Sequence, residues 1–97
     1  GKSKVGTFRL DRLKGERNII MFYTEGCEIC KAEKAAIRQM ASQDRNLYVL
    51  FVNVDEIMRD MPSVSESLFD SFDLSALPYI LEADRKGIVT RRYLSYR

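Results

Sequence analysis

Histidine is absent from this 97-residue chain, and that gap removes more chemistry than any other feature of the composition. It excludes Ser-His and Cys-His nucleophilic pairs and imidazole ligation of a metal. Cysteine is scarce, with 2 residues. Without histidine they supply half of a zinc site, to be completed by carboxylates, water or another chain. An excess of one charge is missing too: 16 basic against 14 acidic residues leave +2. That is too balanced for a nucleic-acid or polyanion surface. No apolar run approaches the length that crosses a bilayer. Behind Gly1-Lys2-Ser3-Lys4 there is no apolar stretch, so no secretion signal is read in this chain. Gly1, in place of an initiator Met, is expected to be a processing or tag-cleavage scar. Residues 1–6 are expected to be disordered or tag-derived, and a longer precursor stays open.

What is there is an ordinary globular composition, 45% hydrophobic and 31% charged, of a length that supports one small core. A single domain over residues 1–97 is expected. Both cysteines fall in one stretch, Thr24-Glu25-Gly26-Cys27-Glu28-Ile29-Cys30-Lys31. The apolar run Ile19–Tyr23 leads into it and a helix-patterned run, Lys31–Ala41, leads out. A Cys-x-x-Cys where a strand meets a helix start is a place for thiol–disulfide chemistry. The plainer alternatives are a pair of inert buried thiols or half a metal site.

Along the chain, Gly6–Leu10 reads as a short edge strand and Leu10–Gly15 as a turn closed by glycine. Asn18–Tyr23 is a nearly continuous apolar strand, the pattern of a central strand buried on both faces. Ile29, Ala32, Ala36, Ile37 and Met40 recur at helical spacing and predict the buried face of a helix. Leu47–Val54 is a second strand, rich in β-branched and aromatic residues. Asp55–Met61 reads as a loop with a helical turn. Pro62 suits a helix start, and Val64, Leu68, Phe69 and Phe72 space as a short amphipathic helix. Tyr79–Ala83 is a third strand. Asp84–Gly87 is a turn, and Ile88–Tyr93 pairs back as a hairpin. The order predicts an α/β domain: a parallel pair joined by a helix crossover, then an antiparallel hairpin, in one mixed sheet.

This order, with Cys-x-x-Cys after the first central strand and Pro78 opening the third, resembles the thioredoxin-like fold. It is most similar to the TlpA-like bacterial thiol–disulfide oxidoreductases. Three stretches carry the resemblance: Leu10–Gly15, Cys27-Glu28-Ile29-Cys30-Lys31-Ala32-Glu33, and Leu77–Leu81 followed by Asp84–Val89. It implies a mixed sheet of four to five strands flanked by helices, with the usual C-terminal helix lacking a counterpart. Gly26 stands where the family usually has tryptophan, Ile29 where proline is common, and Met21 where cytoplasmic thioredoxins keep an aspartate. The resemblance also implies a periplasmic or otherwise extracytoplasmic bacterial location. Expected partners are cysteine-containing protein substrates and an upstream thiol electron donor, with no nucleic acid and no membrane segment. No cofactor and no metal are implied.

The expected chemistry is thiol–disulfide exchange. Cys27 falls at the N-cap or first turn of its helix, where free N–H groups and the positive dipole end favour the thiolate. It is therefore the expected nucleophile, and Cys30, one turn in, the resolving thiol. Glu25 and Glu28 should raise the Cys27 pKa and Lys31 lower it. That balance suits a reductant better than a strong oxidant. Glu33 lies inside the apolar stripe, where a carboxyl is partly desolvated and its pKa raised; it is the expected proton acceptor for Cys30. The alternative is a glutamate leaning into solvent. TlpA-like relatives assign the matching glutamate a comparable role. Proline is tolerated at a strand start, and base rates favour a trans bond there. The resemblance implies cis at Pro78, leaving the backbone of Leu77 free to pair with substrate. Gly26, Leu77 and Pro78 are the expected substrate-binding residues. The competing function is a non-catalytic binding module of a larger secreted protein.

Overall fold

The computed structural model describes residues 13–60 and 77–93. The elements are β1 (Arg17–Tyr23), α1 (Glu28–Ser42), β2 (Leu47–Asn53), α2 (Val54–Asp60), β3 (Tyr79–Asp84) and β4 (Val89–Tyr93). They build one mixed sheet in the order β2-β1-β3-β4. β1 pairs parallel with β2 and antiparallel with β3, and β3 pairs antiparallel with β4. The strand expected at Gly6–Leu10 and the helix expected over Pro62–Phe72 lie outside the described residues.

β1 is apolar along its length because both of its faces are covered. Ile19 and Met21 point to the α1 side, among Cys30, Ile37, Leu47 and Ile80. Ile20 and Phe22 point the other way, among Leu13, Val52, Val54, Ile57, Leu81 and Ala83. All four are fully buried, and each such side chain contributes roughly 1.5–3 kcal/mol. Phe22 meets Tyr79 edge-on, with ring centroids 6.2 Å apart, a favoured aromatic geometry.

The polar residues inside this frame are all engaged. Asn18 is fully buried. Its Oδ1 accepts the Gly15 N–H at 3.0 Å, and its Nδ2 donates to the carbonyls of Gly15 (3.0 Å), Asp84 (3.3 Å) and Ala83 (3.4 Å). One amide thus ties the chain entering β1 to the end of β3. Gly15 is needed there for a close approach rather than as a left-handed cap. A Cβ on it would sit 2.5 Å from the Arg17 carbonyl and 2.8 Å from that of Asn46. Arg17 grips Glu82 across the sheet through both carboxylate oxygens, at 2.9 and 3.1 Å, a fork pairing that suits a partly buried carboxylate.

Three sequence expectations need correction. The buried face of α1 is Cys30, Glu33 and Ile37, with Met40 and Ala41 packed against the same cluster. Ile29 is 63% exposed and Ala32 is exposed. The stripe is turned by about one residue because Cys30 faces the sheet, and helical spacing then carries Glu33 and Ile37 inward with it. Val54 does not end β2; it opens α2, where the expected loop is a regular helix. Of the turn or single helical turn expected at Leu10–Gly15, Leu13–Gly15 is described and is not helical, which leaves the turn standing there, and the rest lies outside the described residues. The hairpin turn has the predicted place: Gly87 is at φ +86°, and Asp84 Oδ1 accepts the N–H groups of Lys86 and Ile88.

Candidate redox site

β1 ends at Tyr23 and the chain turns through Thr24, Glu25 and Gly26 into α1. Gly26 makes that turn at φ +77° with no atom near where a Cβ would be. Its requirement is conformational, since a side chain there would be strained in open space. Cys27 then takes an extended conformation, φ −86° and ψ 106°, as the N-cap of α1. Its Sγ accepts the Cys30 N–H at 3.0 Å, the role a serine or aspartate side chain plays at other helix starts. A sulfur in that position faces unpaired helix N–H groups and the positive end of the helix dipole, which favour its thiolate.

Cys27 and Cys30 are joined by a disulfide, with Cα atoms 5.1 Å apart. The two sulfurs differ in access. Cys27 is half-buried, whereas Cys30 is 2% exposed and packs beside Met21 and Ile80. Cys27 is the more accessible of the two sulfurs. Glu33, one turn beyond Cys30, is 1% exposed. Among the described residues, no buried side-chain nitrogen or oxygen is left without a hydrogen-bond partner.

The loop before Cys27 is tied down from behind. Asn53, at the end of β2, donates from Nδ2 to Glu25 Oε1 at 2.9 Å. The Glu25 N–H donates to Asp55 Oδ2 at 3.3 Å. Asn53 also accepts the Glu56 N–H on Oδ1 at 3.2 Å, capping α2. Glu28 pairs with Lys31 at 3.1 Å, so they present Cys27 with a dipole rather than two free ions.

Leu77 packs against both apolar clusters, including the one that holds Cys30 and borders Cys27. Pro78 is buried, and the Leu77–Pro78 peptide bond is cis. The fold therefore brings Gly26, Cys27, Cys30, Glu33 and Leu77 to one end of the sheet, at the C-terminal end of β1. On one side of the disulfide lies a cavity of about 210 Å³ bounded by Tyr23, Thr24, Gly26 and Lys34. The Lys34 ammonium stands over the Tyr23 ring at 4.3 Å and near that of Phe51 at 5.1 Å. The Arg38 guanidinium lies 5.2 Å from the Phe51 centroid. Among the described residues no cluster of three or more His, Cys, Asp or Glu could hold a metal ion. No described helix is long and apolar enough to cross a membrane.

Two neighbours of the disulfide do not stand out in the sequence: Ile29 stands in solvent between the cysteines, and Asn53 anchors the loop. The Asn53 signal was present, since Asn53-Val54-Asp55-Glu56 has the residue types and spacing of a helix cap.

Solved structures with this architecture include oxidized mitochondrial thioredoxin 3 from Saccharomyces cerevisiae. It aligns with TM-score 0.69 and 16% identity over 96% of this chain and 79% of its own. A thioredoxin-2 described as a component of the malaria parasite protein secretion machinery aligns with TM-score 0.67 and 16% identity, over 100% of this chain and 84% of its own. Trxlp from Edwardsiella tarda aligns with TM-score 0.63 and 20% identity, over 84% and 73%. The chain thus has a thioredoxin-like fold. No curated protein matches its sequence. A family model described as TraF, F plasmid transfer operon protein, matches residues 2–91.

Proposed function

The chain belongs to the TraF family, F plasmid transfer operon protein, and from that membership and the site we propose that it exchanges disulfides with cysteine-containing proteins. The observation that carries this reading is the Cys27–Cys30 disulfide across a helix N-cap, with Cys27 the accessible sulfur and Cys30 buried.

In the reducing direction the Cys27 thiolate attacks one sulfur of a substrate disulfide and releases the other as a thiolate. Cys30, deprotonated, then attacks Cys27 Sγ and frees the second substrate thiol. Two electrons and two protons pass to the substrate, and the protein is left with the disulfide seen here. An upstream thiol donor returns it to the dithiol. A thiolate stabilised by helix N–H groups, with no charged residue but Glu28 between the cysteines, fits a reductant better than a strong oxidant. Glu33 takes the Cys30 proton in this reading; its burial and its position one turn along the same face of α1 support that role. The TlpA-like resemblance supports this role. Gly26, Leu77 and Pro78 form the substrate-binding edge, with the Leu77 backbone pairing to an extended substrate. Ile29 adds exposed apolar surface beside the disulfide. We assign the chain to one domain and, from the plasmid-transfer family and the TlpA-like resemblance, to an extracytoplasmic bacterial setting.

Replacing Cys30 with serine removes the resolving thiol. Cys30→Ser should then accumulate a mixed disulfide with protein substrates through Cys27, and Cys27→Ser should trap nothing. Equal trapping by both variants, or by neither, would return the chain to a non-catalytic binding role. Glu33→Gln should shift the pH-dependence of the resolving step while leaving mixed-disulfide formation in place; an unchanged profile would remove the proton-transfer role.

A further inference from the structure

Beside the disulfide, on a wall to which neither Leu77 nor Pro78 contributes, the protein holds an ordered set of cations. Lys31, Lys34 and Arg38 stand at i, i+3 and i+7 along α1, one helical face. Lys31 and Lys34 line the cavity that also touches Cys27 and Cys30. Lys34 is stacked on Tyr23 and Phe51, and Arg38 on Phe51. Ring faces hold a cation in place by their quadrupole without occupying its N–H groups with an acceptor. Among the described residues neither Lys34 nor Arg38 makes an ion pair; the pairs belong to Arg17, Lys31, Arg59 and Arg85. The carboxylate that borders the same cavity, Glu25, accepts a hydrogen bond from Asn53 on the other side of the loop.

From Lys31 to Arg38 the helix rises about 10 Å, the span of about three residues of extended chain. The stripe begins at the disulfide and runs away from it. We propose that this stripe reads the substrate: it selects protein segments whose reacting cysteine is flanked, within about three residues, by aspartate or glutamate. This names the substrate class of the site described above and rests on that site being redox-active. The acidic side chains would meet Lys34 and Arg38 while the cysteine sulfur meets Cys27 Sγ. The bond changes are those of the exchange already given.

The test uses the reduced protein and three peptides identical except for the residues after a single cysteine: Asp/Glu, Gln or Lys. Each is activated as a mixed disulfide with neutral 2-thiopyridine, whose release is followed by absorbance. Dividing by the rate with dithiothreitol removes the intrinsic reactivity of each peptide. The acidic peptide should outrun the lysine peptide by about tenfold at low ionic strength, with the gap closing in high salt. Lys34→Gln with Arg38→Gln should abolish the gap and leave the neutral peptide within about twofold of the unmodified protein. Lys34→Arg should keep the preference. Equal rates for all three peptides with the unmodified protein, or a gap that survives in the double variant, would overturn the proposal and leave the oxidoreductase reading standing. Failure to exchange with any of the three would overturn both.

Discussion

Replacing Asn53 separates two jobs that one side chain performs. Its Oδ1 caps α2 through the Glu56 N–H, and its Nδ2 holds Glu25 and with it the turn that presents Cys27. Loss of a helix cap costs about 1 kcal/mol. Loss of a hydrogen bond to a carboxylate costs up to about 2 kcal/mol, and roughly 1 kcal/mol here because Glu25 faces solvent. Asn53→Ala loses both, about 2 kcal/mol in all. With a urea slope near 1.3 kcal/mol per molar for a small domain, the unfolding midpoint should fall by about 1.5 M. Asn53→Asp keeps an acceptor for Glu56 but loses the donor and sets a second carboxylate against Glu25. It should lose only about half as much stability as the alanine variant. The exchange rate should divide differently. Both variants release the loop, so both should slow Cys27 by about fivefold, the factor that roughly 1 kcal/mol of lost positioning gives. Urea unfolding at equilibrium and stopped-flow exchange with a disulfide peptide read the two effects separately. An Asn53→Asp protein that exchanges at the unmodified rate would refute the tether. One as unstable as Asn53→Ala would refute the cap.

Other substitutions test the frame around the site. Asn18→Ala removes the buried acceptor of the Gly15 N–H and a donor to the Gly15, Ala83 and Asp84 carbonyls, of which the last keeps the Gly87 N–H. It should cost about 3 kcal/mol in thermal or urea unfolding, and a loss below about 1 kcal/mol would show that water replaces the amide. The two turn glycines should respond for different reasons. Gly15→Ala forces a methyl against the Arg17 and Asn46 carbonyls and should cost 2 kcal/mol or more, roughly the scale of other backbone-displacing overpacking. Gly26→Ala meets open space and pays only for its left-handed backbone, about 1 kcal/mol; a larger loss for Gly26→Ala than for Gly15→Ala would reverse this assignment.

The order of elements was legible because its signals are redundant. β1 is a run of apolar residues that only a doubly covered strand needs, and Cys27 at a strand-to-helix junction placed the start of α1 within a few residues. What escaped was anything decided by rotation or by partners distant in sequence. Ile29 and Ala32 satisfy helical spacing as well as Cys30, Glu33 and Ile37 do. Glu33 was expected inside the stripe and is buried there; what spacing alone left open is that Cys30, rather than Ile29 and Ala32, shares its face. Val54 reads as a strand residue by propensity, and the cap supplied by Asn53 overrides it. Lys34 reads as a solvated lysine until Tyr23 and Phe51, far apart in sequence, are seen under it. Gly15 reads as a turn closer, whereas its role comes from the backbone of Asn46 and Tyr48 pressing on it.

The account turns on Cys27 and Cys30 working as a reversible couple. Its most direct measurement is an equilibrium titration of the protein in dithiothreitol or glutathione buffers, with thiol alkylation as the readout. A single two-electron transition near about −270 mV, the range of thioredoxin, is the predicted result. A transition near about −120 mV would contradict the reducing direction. The absence of any reversible transition would contradict the redox function itself.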